Sequence, residues 1–240
     1  MNCTLKQRLK KEIFQPTWLG VLTNHVFLSR FYLYKKIKKL SKNINGVVLD
    51  LGCGEKPYKN LFTLEKYVGL EINGANVDKE DINLYYYDGK KMPFEDNTFD
   101  SIVSFEVLEH IFDIDNTIQE IKRVLKDKGK LLISIPFGWN EHMQPQDFAR
   151  YTSFAIEYLL TCKKFKVIEI HKTNSIITAS FQIIIAYLHQ NYQPKIKIFA
   201  RLFQFFFIAP ITLLAIALEN LLKKDQSFFS NIVVLAENNK

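Results

Sequence analysis

Short apolar runs, each closed by a glycine or an acid, recur between residues 47 and 135, and helical spacing fills one of the gaps. Val47-Val48-Leu49-Asp50-Leu51 runs straight into Gly52-Cys53-Gly54, which predicts a buried strand ending in a tight turn. Tyr67 to Glu71, Leu84 to Asp88, Phe99 to Ser104 and Gly129 to Ile135 predict four more strands. Between the last two, Ile118, Ile121, Val124 and Leu125 repeat at helical spacing over 115–125. Asp115 or Asn116 is the expected cap, with Gly129 just past the end. A helix over 153–162 and a strand over 165–170 follow a polar loop that runs from Pro136 to Thr152. Strands that are apolar nearly throughout and alternate with helices indicate an α/β fold with a parallel sheet covered on both faces.

Two stretches break this rhythm. Residues 174–224 are long, apolar and helical in pattern, and strand character returns only at 228–236, around Ile232-Val233-Val234-Leu235. This reads as a helical insertion before the last strand. Residues 1–44 read as a basic helical N-terminal extension, leaving 45–240 as the main domain.

Charge follows the same division. The net charge is +7, yet residues 1–43 hold ten Lys/Arg against one acid, whereas residues 44–170 hold twenty-one acids against fifteen basic groups. An acidic middle between basic ends argues against a nucleic-acid-binding surface. The ends suit anionic lipid or an ordinary solvated face. Leu202 to Leu218 is uncharged, but a bilayer crossing there would part the last strand from its sheet. A cap packed on the domain or a helix lying in a membrane interface is expected instead. Cys3, Cys53 and Cys162 stand far apart with no CxxC or Cys/His cluster, which points to a reducing compartment and to no metal. The first fourteen residues lack the apolar core of a secretory signal, so a cytoplasmic location is expected, with membrane contact at the cytoplasmic face as an option.

The chemistry concentrates in Asp50-Leu51-Gly52-Cys53-Gly54-Glu55-Lys56-Pro57-Tyr58. Glycines after a first strand let the backbone turn and approach a ligand closely. Pro57 stands where a dinucleotide fingerprint needs its third glycine, and Asp50 and Glu55 would repel a pyrophosphate. Glu71, ending the second strand, is placed to accept from ribose hydroxyls, and Asp88 with Gly89, closing the third, to meet an adenine. Acids for an amine, a ribose and an adenine, without a phosphate site, fit S-adenosylmethionine.

VVLDLGCGEKPY, YVGLEI, YYYDGKKMPFEDNTFDSIVSFEVLEHI and EIKRVLKDKGKLLISIPF, in that order and spacing, resemble class I S-adenosylmethionine-dependent methyltransferases of the type 11 group over residues 45–140. The resemblance implies a Rossmann-like seven-stranded sheet whose last strand is antiparallel. It implies that Asp50, Gly52, Cys53 and Gly54 hold the methionine end, Glu71 the ribose and Asp88 with Gly89 the adenine, while Phe105 and Glu106 line the cleft. Lys128 stands where many members have glycine. The expected activity is methyl transfer to a small-molecule, glycan or lipid-linked acceptor. The alternative is a module on the same fold that binds cofactor or lipid without transferring anything. No Asn/Asp-Pro-Pro-Tyr sequence follows the fourth strand, so amino methylation of DNA is not expected. Should the acceptor need to lose a proton, the candidates are Glu141, His142, Asp147 and Arg150 in the loop after the fifth strand, His142 being the best base, while Asp147 and Arg150, three positions apart, also suit a local ion pair. His110 reads as structural.

Overall fold

A computed structural model describes residues 11–75 and 81–240. The first ten positions of the N-terminal extension, Cys3 and most of the stretch read for a secretory signal lie outside the described residues. The described chain divides into two compact units.

The larger unit is built on a seven-stranded sheet in the order β3-β2-β1-β4-β5-β7-β6, comprising β1 (Val47–Leu51), β2 (Lys66–Ile72), β3 (Leu84–Tyr87), β4 (Phe99–Phe105), β5 (Leu125–Pro136), β6 (Phe165–Lys172) and β7 (Asn231–Asn238). β1 pairs parallel with β2 and with β4, as do β2 with β3 and β4 with β5. β7 runs antiparallel to its neighbours: Asn238 at its end bonds the carbonyl of Leu125 at the start of β5, and Lys130 pairs with Glu237. The expected seven-stranded α/β architecture is therefore what the chain adopts. Central strands are buried nearly end to end, Val48, Leu49, Ile102, Val103, Leu132 and Ile133 being among the most enclosed side chains, as a sheet covered on both faces requires. Strand order reverses between β1 and β4, and in open α/β sheets the crevice at such a reversal, beyond the carboxyl ends of the strands, is where ligands sit.

Three local expectations change. The helix is Ile114–Val124, capped by Asp113, whose carboxylate accepts from the Asn116 N–H. It passes directly into β5, so Gly129 is a strand residue and not a C-terminal cap. The left-handed residue is Lys128, with φ +59°; glycine adopts that conformation without strain, which explains its frequency there in the group the sequence resembles. The last strand begins at Asn231 and not at 228, because the carbonyls of Phe229 and Ser230 are turned to the Gly138 N–H. The helix Ser153–Cys162 falls as expected, with Thr152 as its cap.

The smaller unit gathers residues up to Lys36 with 138–140 and 172–231. It includes the helices Gly20–Thr23, Ile176–Tyr192, Lys197–Phe203 and Ala209–Leu221 and the first part of Phe27–Leu40. Val21, Phe27, Leu28, Ile185, Ile208, Ala209 and Ala215 form its core. A π-helical turn, Gln204–Ile208, precedes Pro210. Proline has no N–H to return to a preceding carbonyl, and a widened turn accommodates that loss without ending the helix. Buried polar groups are paired: Gln182 accepts from the Ser29 N–H and donates to the His25 carbonyl, and Glu219 accepts from Ser175 and Thr178.

Candidate active site

The turn after β1 is shaped by what would collide with it. Gly52 has φ +68°, and a Cβ there would lie 2.4 Å from the Val107 side chain, so the turn after β1 and the turn after β4 are in close packing. Gly54 has φ +47°, yet a Cβ at that position would meet nothing within 4 Å, leaving open space over its backbone. Its N–H donates to Glu71 Oε1 at 2.5 Å. Asp50, at the end of β1, is buried and accepts from the Tyr67 hydroxyl. Burial, reinforced by the Glu71 charge, pushes its carboxyl up to about 7, against the opposing pull of the Tyr67 hydrogen bond and of Lys56.

Cys53 turns inward. Its sulfur lies 2.6 Å from where a Cβ on Gly69 would stand, and burial with the Asp50 and Glu71 charges pushes its thiol up to about 12. This is a packing residue that offers a ligand only its backbone. Lys56, at φ +54°, is held by Asp81 at 2.5 Å. A cation at the turn is thus already engaged by a carboxylate, consistent with a ligand that carries no phosphate.

Asp88 and Gly89 follow β3 directly, Gly89 at φ +83°. The Lys90 N–H donates to Asp88 at 2.9 Å, and this bond holds the carboxyl below its ordinary range. Tyr87 feels both neighbouring acids: burial first, then the Glu71 and Asp88 charges, push its hydroxyl up to about 12. Phe105 ends β4 with its ring edge-on to Tyr58, centroids 5.0 Å apart. Glu106 adopts φ +57°, donates its N–H to the Ser134 carbonyl and accepts from the Ser134 hydroxyl at 3.0 Å. A non-glycine residue with left-handed backbone at the end of a central strand is a recurrent feature of functional sites. The acids and glycines read from the sequence thus gather at the carboxyl ends of β1, β2, β3 and β4.

Beyond Glu106 lies a second cluster. Asp147 meets His142: the His142 backbone N–H donates to it at 2.9 Å, and the ring Nδ1 is 3.2 Å from the same carboxylate. Arg150 grips Asp147 with two bonds of 2.6 and 2.7 Å, which hold its carboxyl well below the usual range. Sequence reasoning passed over Glu109, which is fully buried with neither carboxylate oxygen hydrogen-bonded. Burial and the nearby Glu106 charge raise its carboxyl. The Glu109 carbonyl accepts from the Phe148 and Ala149 N–H groups, which pins the loop after β5 to the turn after β4. An acid and a histidine side by side between the apolar residues of Val107-Leu108-Glu109-His110-Ile111 were the available signal.

The comparisons agree with this geometry. Residues 49–133 match the family Methyltransf_11, described as a methyltransferase domain. An uncharacterized protein of Methanocaldococcus jannaschii, MJ0638, is 33% identical over 103 residues, covering 41% of this chain and 44% of its own. Sterol 4-C-methyltransferase strm-1 of Caenorhabditis elegans is 46% identical over 98 residues, 38% of this chain and 28% of its own. The chain thus spans less than half the length of either relative. Among solved structures, phosphoethanolamine N-methyltransferase 2 of Haemonchus contortus, in complex with S-adenosyl-L-methionine, is similar with a TM-score of 0.56 and 18% identity, covering 95% of this chain and 59% of its own. That likeness is one of fold. The order of strands, the acid-flanked glycine turn and the match over 49–133 agree in giving this part of the chain the fold of a Methyltransf_11 methyltransferase domain.

Proposed function

We propose that this chain transfers the methyl group of S-adenosylmethionine to a small-molecule, glycan or lipid-linked acceptor. The observation that carries the reading is the turn at Gly54, open above its backbone, bonded to Glu71 and backed by the buried carboxylate of Asp50. Asp50 suits the ammonium of the methionine moiety, Glu71 keeps its second oxygen for the ribose, and Asp88 with Gly89 closes the adenine end. The cofactor supplies an activated methyl group on a sulfonium, so the chain's task is alignment and exclusion of water. Phe105, packed on Tyr58, provides an apolar wall, and Glu106 borders the cleft. His142 and Asp147 lie on the acceptor side, where a group that must lose a proton as it attacks would be deprotonated.

A lipophilic acceptor is favoured by the smaller unit. The helix Lys197–Leu221, 25 residues including the π turn, is long and apolar enough to cross a membrane by length and composition, and only a third of its apolar window is buried. Phe205, Phe206, Phe207, Leu213 and Leu214 are each more than half exposed. Lys195, Lys197, Arg201, Lys223 and Lys224 flank them, the pattern of a helix lying in a membrane interface. One of the relatives above is by name a sterol methyltransferase.

The reading is tested by incubating the protein with methyl-labelled S-adenosylmethionine and separate aqueous and organic-solvent extracts of cells. Label is expected in the organic fraction and is expected to be lost with Asp50→Ala. A protein that binds the cofactor but labels neither fraction would instead be the non-catalytic module.

A further inference from the structure

We propose that Glu109, His110 and His142 bind a divalent metal ion of the first transition series, with Asp147 as the outer carboxylate that orients His142. One ligand atom from each of the three residues lies within 4.8 Å of the others, and His110 Nε2 is 3.6 Å from Glu109 Oε1. The three residues come from two segments far apart in sequence, so no spacing motif announces them.

The hydrogen bonds around the cluster fix what it lacks. His110 Nδ1 is 2.5 Å from the Gln146 carbonyl oxygen. A carbonyl only accepts, so Nδ1 carries the proton, and in a neutral ring Nε2 presents a lone pair. That lone pair faces the Glu109 carboxylate, itself an acceptor, fully buried and without a hydrogen bond on either oxygen. A proton on Glu109 would satisfy this pair alone, but the ligand atom of His142 converges on the same point within 4.8 Å, and three such groups around one point suit a cation. His142 has its Nδ1 directed at Asp147, which Arg150 holds rigidly; a carboxylate behind a histidine is the arrangement that sets tautomer and ring direction in metal sites. The bonds from Phe148 and Ala149 to the Glu109 carbonyl hold both segments in place.

Two imidazoles and one carboxylate suit Zn²⁺, Mn²⁺ or Co²⁺ and leave coordination positions open. Resting on the methyl-transfer reading, this places a Lewis acid beside Glu106 on the acceptor side. With His142 taken up as a ligand and not as a base, a hydroxyl ligated there would release its proton to solvent and attack as an alkoxide. The new O–C bond forms as the C–S bond breaks, leaving S-adenosylhomocysteine. The acceptor class is then a hydroxyl compound.

Chelator-treated full-length protein, titrated with Zn²⁺, Mn²⁺ and Co²⁺ without S-adenosylmethionine, tests the site apart from any transfer. One equivalent should bind, and Co²⁺ should give visible absorption. His110→Ala, His142→Ala and Glu109→Gln should each remove that absorption, with circular dichroism confirming that each variant is folded. Asp147→Asn should weaken binding about 10- to 100-fold. Glu109→Gln keeps the shape and removes the buried charge, so it is the variant expected to fold best. No stoichiometric binding of any of the three ions by the folded protein, or a Co²⁺ spectrum unchanged in Glu109→Gln and His142→Ala, would overturn the proposal.

Discussion

The backbone N–H of Gly54 donates to the carboxylate of Glu71 across 2.5 Å, joining the turn after β1 to the end of β2. Glu71 therefore both shapes the glycine turn and stands at the ribose end of the cleft. The two glycines of that turn do different work, and alanine separates them.

Gly52→Ala should damage folding. Its left-handed backbone costs a non-glycine residue about 1–2 kcal/mol, and the new Cβ would lie 2.4 Å from Val107. Gly54→Ala meets only the backbone cost, since nothing lies within 4 Å of its Cβ. Thermal melts should show a large loss for the first and a small one for the second, while both lose cofactor affinity. Retained affinity in Gly54→Ala would show that the open space is not used by the cofactor.

Cofactor affinity should rise with pH. The Asp50 carboxyl sits at about 7 in the free protein, and a bound ammonium favours its ionised form, so binding releases a proton. Titrations between pH 6 and 8 should show affinity climbing through that window and a flat profile in Asp50→Asn. A wild-type profile that is also flat would place the ammonium elsewhere.

The helical unit should be acid-sensitive. His25 stacks on His189, ring centroids 3.4 Å apart, and burial, with the His189 charge, lowers its pKa from 6.5 to about 4. The folded state then binds fewer protons than the unfolded chain between these values, so stability rises with pH across the window and is lost as pH falls from 6.5 towards 4. Helical circular dichroism during melts at pH 7 and pH 5 should show a lower midpoint at pH 5, and His25→Phe should reduce that difference. Equal pH dependence in the variant would assign the effect to other groups.

Anionic vesicles should retain the protein. The exposed Phe205, Phe206 and Phe207 and the surrounding lysines predict co-sedimentation at low salt that weakens as salt rises. Replacing the three phenylalanines with serine should abolish it. Absence of binding by the wild-type protein at low salt would leave the apolar face to a different partner.

The cofactor side of the site was legible in the sequence because its residues sit at strand ends, where apolar runs stop and a glycine or an acid follows. Asp50 and Glu71 are each the last but one residue of a strand and Asp88 directly follows one, and parallel pairing brings such positions to one edge. The cluster on the acceptor side was hidden for the opposite reason. Glu109 and His110 lie on a short turn and His142 in a loop 32 positions after His110, and the bonds that draw them together, from Phe148 and Ala149 to the Glu109 carbonyl and from the His110 ring to the Gln146 carbonyl, are tertiary. The start of β7 at Asn231 and the left-handed residue Lys128 within β5 escaped for want of a local signal: the bonds from the Gly138 N–H to the Phe229 and Ser230 carbonyls fix the first, and a lysine in the left-handed region gives no glycine to read.

The most direct measurement is calorimetric titration of the protein with S-adenosylmethionine and S-adenosylhomocysteine, with NAD as control, repeated on Glu71→Ala. Saturable one-site binding of the first two, absent for NAD and weakened at least tenfold by the substitution, is the expected result. A folded protein that binds neither, or a Glu71→Ala variant that binds both as tightly as the wild type, would contradict the assignment of the cleft.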